Sequence, residues 1–236
     1  MIRGIAFDLE GPIINVESIH FEAFVRAAKG LGIDITFERI VQAIPNAIGG
    51  GDKVISEGIS KMAGGRVSAE DVHDRKRQVY DELIETETIT MRDGFKEVLD
   101  YFTQQKIPIS IGSLTPVNQA RLLLERSGLD RFIPPEKIVL QDAVRNLKPA
   151  PDVFLETARR MRISPTEQLI FEDSVPGVLA ARAAHSLVIA VPVYAFSENL
   201  LQIVEAGANR VFVDWKEMNI DQVFRNLQKD SATYSS

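Results

Sequence analysis

Cysteine is absent from the 236 residues. Disulfides, thiol nucleophiles and thiolate metal sites are therefore excluded, and a reducing compartment is compatible. Positive charge is also short, because 27 lysines and arginines face 33 aspartates and glutamates, a net charge of -6. Nonspecific binding to nucleic acid or to an anionic membrane draws on summed positive charge, so neither is an expected partner. An anionic ligand must then meet local cationic groups. No apolar run is long enough for a membrane span. The apolar opening stops at Phe7, where Asp8 interrupts it, too short and too soon acidic for a secretory signal, and the expected setting is cytoplasmic. What remains, 45% hydrophobic and 25% charged, suffices for one sizeable core with a smaller satellite domain.

Six short apolar runs read as strands. They are Ile5–Phe7, Ile107–Gly112, Ile138–Leu140, Leu169–Phe171, Leu187–Val193 and Arg210–Val213, with helical patterns between most of them. This alternation predicts an α/β fold with a Rossmann-like, doubly wound parallel sheet. A βαβ unit normally needs roughly 30 residues or a little more, yet nearly a hundred separate the first two strands. The intervening apolar residues recur at helical spacing: Phe21, Phe24, Val25 and Ala28, then Ile55, Ile59 and Met62, then Val72, Val79 and Leu83. The reading is an all-helical cap domain at 15–90 inserted into a core domain made of 1–14 and 91–236. Its breaks are expected at Gly49-Gly50-Gly51 and Gly64-Gly65, Ser68 with Asp71 resembles a helix start, and the polar end from Asp230 to Ser236 is expected to fray.

Four features carry candidate chemistry. Asp8-Leu9-Glu10-Gly11 ends the first strand, Ser113-Leu114-Thr115-Pro116 follows the second, Lys148-Pro149 precedes a helix, and Glu172-Asp173 ends the strand that begins at Leu169. Ligands of open α/β sheets bind at such carboxyl ends. Two acidic strand ends side by side repel unless a cation neutralises them, and an all-oxygen donor set suits Mg2+. Phosphoryl transfer needs an in-line nucleophile, a cation on the phosphoryl oxygens and donors for the remaining charge. Asp8 can be the nucleophile, Ser113 and the amides opening its helix can donate, Lys148 can pair with phosphate, and Asp173 with Glu172 can complete a metal shell. Each feature alone has a plainer reading. Acids at strand ends begin turns, Ser113 caps a helix, Lys148 is solvated, and Glu172-Asp173 caps the helix from Val175 to Ala184.

As a set, Asp8-x-Glu10-Gly11, Ser113, Lys148-Pro149 and Glu172-Asp173 resemble the four motifs of the haloacid dehalogenase-like superfamily. Lys148 to Phe154 and Phe171 to Val178 are similar to its β-phosphoglucomutase-like branch. The resemblance implies a Mg2+-dependent phosphoric monoester hydrolase that acts on a small phosphorylated metabolite, with a sugar phosphate as the expected class, through an aspartyl-phosphate on Asp8. It implies Asp8, Asp173 and the Glu10 carbonyl on the metal with Glu172 outside them, and Ser113, Leu114 and Lys148 on the phosphate. Glu10 is the implied acid–base group, where the family carries an aspartate one methylene shorter. Pro12 and Asn15 also depart from the branch.

In the cap, Lys76 lies on the apolar stripe of Val72 and Val79. One reading is a lysine whose ammonium reaches water beyond a packed stem. The other, implied by the branch, is a substrate contact, as for His20, which otherwise reads as an exposed or core-edge residue. The stretch from Ile48 to Asp52 holds glycine and aspartate where sugar-phosphate mutases of the branch often place an arginine. That loss argues against a second phosphate clamp, although Arg75 or Arg77 can substitute. A phosphosugar mutase is therefore the alternative, and a low-activity phosphometabolite-binding regulatory protein is a third.

Overall fold

The computed structural model describes residues 1–45, 47–48 and 51–233. The Gly49-Gly50 part of the expected cap loop lies outside them. The chain divides into two compact units, Met1–Asn15 with Ile89–Ser236, and Val16–Thr88.

The first unit is the expected doubly wound sheet. Its strands are β1 (Gly4–Phe7), β2 (Ile109–Gly112), β3 (Ile138–Val139), β4 (Gln168–Glu172), β5 (Leu187–Ala190) and β6 (Arg210–Val211), in the order β3-β2-β1-β4-β5-β6. All pairings are parallel. β1 and β4 are buried at every position, as a parallel sheet covered on both faces requires. Side chains alternate between those faces. Phe7 and Phe171 stack at 5.0 Å on one, beside Phe95, Phe102 and the buried Trp215. Ala6 and Ile170 join Val153, Phe154, Val178 and Val188 in a cluster on the other. Truncating one of these aromatics is worth about 3–5 kcal/mol.

The strand order reverses between β1 and β4, the switch point where the carboxyl edge of such a sheet opens. Register does the rest. Phe7 lies opposite both Phe171 and Ile111, so the residues after β1 and β2 and the end of β4 meet at one edge.

The second unit is helical: α1 (Glu17–Gly30), α2 (Phe37–Ala43), α3 (Gly51–Met62) and α4 (Ala69–Thr86), with α4 against α1 and α3. Ser68 opens α4 through a reciprocal capping box with Asp71, and Gly64 and Gly65 turn the chain with φ of +66° and +72°. One expectation needs correction, and one helix goes beyond the expectations. Met62 is 38% exposed rather than part of the stripe, and α2 has no counterpart in the sequence reading because only Ile40 of its seven residues is buried.

The first unit also holds α5 (Phe95–Gln104), α6 (Val117–Ser127), α7 (Asp152–Met161), α8 (Val175–Ala183), α9 (Ser197–Glu205) and α10 (Ile220–Thr233). Fraying is expected from Asp230 to Ser236, but α10 runs through Asp230 to Thr233, and residues 234–236 lie outside the described ones. Among the described residues no helix is long and apolar enough to cross a membrane.

Candidate active site

Asp8 is the first residue beyond β1, and its amide donates to Phe171 O, 2.9 Å away. Its carboxylate is nearly enclosed and accepts from Lys148 Nζ. The same ammonium donates to Glu172 Oε1 at 2.5 Å and lies 5.0 Å from the centre of the Phe154 ring. Lys148 therefore bridges the ends of two neighbouring strands. Its side chain is 9% exposed, so the solvated reading is wrong.

Glu172 is fully buried and fully used. Its second oxygen accepts from the amides of Asp173 and Ser174 and from the Ser174 hydroxyl. It does not cap α8, because the Ser174 hydroxyl does so by accepting from the Gly177 amide. Gly177 has to be glycine, since a Cβ there would fall 1.9 Å from Glu172 Cδ. Gly11 is under the same constraint from Asp173. With φ at +97°, a Cβ on Gly11 would lie 2.0 Å from Asp173 Oδ2, so that carboxylate is seated against the turn after β1.

Ser113 follows β2 and is buried, but it is not a helix cap, because α6 begins only at Val117 with Pro116 at the cap position. Its hydroxyl instead lies 2.8 Å from the Thr115 hydroxyl and accepts from the Thr115 amide at 3.3 Å. Thr115 in turn donates to Glu10 Oε1 at 2.6 Å. The Leu114 side chain packs on the apolar cluster.

Burial pushes the Asp8 carboxyl up, Lys148 pulls it down, and the Glu172 and Glu10 carboxylates push it up again, to about 7. One ammonium does not neutralise this many acids. Burial opposes the charge on Lys148, but Asp8 and Glu172 outweigh it and hold the ammonium above its ordinary range.

Two residues escaped the sequence reading. Thr115 sits inside a quoted motif, where a hydroxyl two residues from Ser113 was the available signal. Arg92 had no motif around it. Its guanidinium donates to the carbonyls of Gly11 (3.0 Å), Val191 (2.8 Å), Pro192 (3.4 Å) and Val213 (3.4 Å), tying the turn after β1 to the segments after β5 and β6. Burial pulls its pKa down, while Asp173 and Asp214 support its charge.

Among the described residues no three acidic or histidine side chains gather as a metal cage. The Glu172 carboxylate is spent on Lys148 and amides, and Glu10 is held by Thr115. The Asp8 and Asp173 carboxylates and the Glu10 carbonyl are oxygen donors of the kind a small cation that keeps several waters takes. Burial, with the Glu172 and Glu10 carboxylates behind it, disfavours a bare negative charge on Asp8, and a cation there would offset that.

In the helical unit, Lys76 is 2% exposed and does not reach water. It donates to Asp52 Oδ2 (2.6 Å), lies 2.7 Å from His20 Nδ1 and sits over the rings of Phe24 and Tyr80. His20 stacks on Tyr80 at 4.1 Å. Burial opposes ionisation of Asp52, but Lys76, His20 and His73 outweigh it and hold its carboxyl below the usual range.

Known proteins give the same reading of the fold. A model of the haloacid dehalogenase-like hydrolase family matches residues 2–185. A phosphorylated carbohydrates phosphatase of Thermotoga maritima is 27% identical over 78% of this chain and 82% of its own. A β-phosphoglucomutase of Mycobacterium bovis is 25% identical over 92% and 91%. The crystal structure of a haloacid dehalogenase-like protein from Agrobacterium tumefaciens, 24% identical, superposes with a TM-score of 0.81 over 97% of this chain and all of that one. The chain belongs to the haloacid dehalogenase-like hydrolases, in their β-phosphoglucomutase-like branch.

Proposed function

We propose that this hydrolase is a Mg2+-dependent phosphatase of small phosphorylated metabolites, with sugar phosphates as the favoured class, acting in the cytoplasm through an aspartyl-phosphate on Asp8. The observation that carries the proposal is Lys148 joined to both Asp8 and Glu172 where β1 and β4 end, with Ser113 at the end of β2. The sugar preference rests on the Thermotoga relative.

Asp8 and Asp173, with the Glu10 carbonyl, would hold Mg2+, which when bound supplies positive charge to the phosphoryl oxygens. Lys148 has three protons, two of them on carboxylates, and the third is left for phosphate. Ser113 and the backbone at Leu114 hold further oxygens. An Asp8 oxygen attacks phosphorus as the bond to the leaving oxygen breaks, and Glu10 gives that oxygen its proton. Water then attacks the aspartyl-phosphate and Glu10 takes the water's proton. The bond from phosphorus to Asp8 breaks, which frees phosphate and restores the carboxylate. Acid–base help of this kind is worth about a hundred to ten thousandfold.

The Val16–Thr88 unit is the proposed cap, with Lys76 and His20 as substrate contacts. A mutase would need a second cationic grip for a bisphosphate. Lys76 is already neutralised by Asp52, which favours the phosphatase.

The test is a panel of phosphorylated metabolites with Mg2+, reading inorganic phosphate and isomerised product separately. Phosphate release that EDTA and Asp8→Asn abolish is expected. Full activity of Asp8→Asn rejects the nucleophile, and isomer without phosphate selects the mutase.

A further inference from the structure

We propose that Thr115 is a positioning residue for Glu10, and that the pair is what lets this chain use the longer acid. The inference rests on the phosphatase reading with Glu10 as its acid–base group. Glu10 and Thr115 are 105 positions apart in sequence and are joined at 2.6 Å between Oε1 and Oγ1. Glutamate has one more rotatable bond than aspartate, and a loose side chain spreads its carboxylate over several rotamers. A misplacement of about 1 Å at a reacting group costs on the order of a hundredfold in rate. The Thr115 hydroxyl removes that freedom.

Thr115 is suited to the task on three counts. It is 6% exposed, so little water competes for its bond. It is branched at Cβ, which stiffens χ1. Its own hydroxyl is fixed from the other side: with the Thr115 proton committed to Glu10, Ser113 supplies the proton shared by the two hydroxyls, and the Thr115 amide returns a bond to Ser113 Oγ. Ser113 and the acid–base group are thereby built on one framework in the free protein, and the Ser113 proton reaches a phosphate oxygen only by turning away from Thr115.

The test uses the full chain with Mg2+ and four variants: Thr115→Val, which keeps the shape and deletes the hydroxyl's bonds to Glu10 and Ser113, Thr115→Ser, Glu10→Ala and the Glu10→Ala/Thr115→Val double variant. kcat/KM is measured on p-nitrophenyl phosphate, whose leaving phenolate needs little protonation, and on the sugar monophosphate turned over best, whose alkoxide needs it. Thr115→Val is expected to lower kcat/KM on the sugar phosphate about tenfold or more, and to lower it several times less on the aryl phosphate. Thr115→Ser should recover to within about threefold of the natural chain, and in the Glu10→Ala background Thr115→Val should change either rate by less than about twofold. Equal losses on both substrates, an undiminished Thr115→Val loss without Glu10, or natural rates in Thr115→Val would overturn the inference. Natural rates in Glu10→Ala are a separate result, which rejects Glu10 as the acid–base group.

Discussion

Replacing Lys148 with methionine keeps most of its volume and removes the cation from between Asp8 and Glu172. The side chains of the three are 9%, 10% and 0% exposed, so water cannot take over the lysine's role. Removing one member of a buried ion pair costs about 3–5 kcal/mol, because the charge left behind stays desolvated. A proton can relieve part of this. Asp8 already sits at about 7 against an ordinary 3.8, with Lys148 among the influences holding it down. An acid raised in the fold binds its proton more readily there than in the unfolded chain, so stability falls as pH rises from near 4 through the folded value. Losing Lys148 pushes that value higher and widens the window. Urea unfolding without divalent cation should therefore show a deficit of about 3–5 kcal/mol at pH 8, and one smaller by at least about 1 kcal/mol at pH 5.5, where Asp8 is protonated. Phosphate release should fall at least about a hundredfold, as for other lost donors to a transferring group. Stability within 1 kcal/mol of the natural chain at both pH values, or equal deficits at both, would refute the reasoning.

Two more outcomes follow from charge and burial. Mg2+ and a proton compete for Asp8, so Mg2+ affinity measured by calorimetry should weaken as pH falls below about 7 and level off above it, and Asp173→Asn should weaken it at every pH; a pH-independent affinity would remove Asp8 from the metal shell. In the helical unit, Asp52→Asn should cost about 3 kcal/mol by chemical unfolding, because the enclosed Lys76 ammonium loses its carboxylate. Lys76→Met should cost about 1 kcal/mol or less, since Asp52 is 34% exposed and water reaches it; equal costs would contradict the burial argument.

The strands were legible because a parallel sheet buried on both faces demands unbroken apolar runs, and Ile5–Phe7 and Leu169–Phe171 are such runs. The structure shortened most of them, as Ile107 became β2 from Ile109 and Val193 became β5 ending at Ala190, because chain ends leave the ladder before the apolar residues stop. Helix α2 was invisible, since one buried residue in seven makes no periodic stripe. Ser113 and Glu172 were both open to capping readings, which the positions of Pro116 and Ser174 removed.

By itself, the order of residues determined the alternation of strand and helix and the acid, hydroxyl and lysine groups at strand ends, because hydrophobic period and turn chemistry are local properties of the chain. Only the tertiary structure decided who holds whom. That Lys148 spans Asp8 and Glu172, that Thr115 grips Glu10, and that Arg92 gathers carbonyls from three segments depends on strand register and on the angles of turns that bring residues about a hundred positions apart within hydrogen-bond reach. Bonds that short are set to fractions of an ångström, and no pattern along a sequence carries that measure.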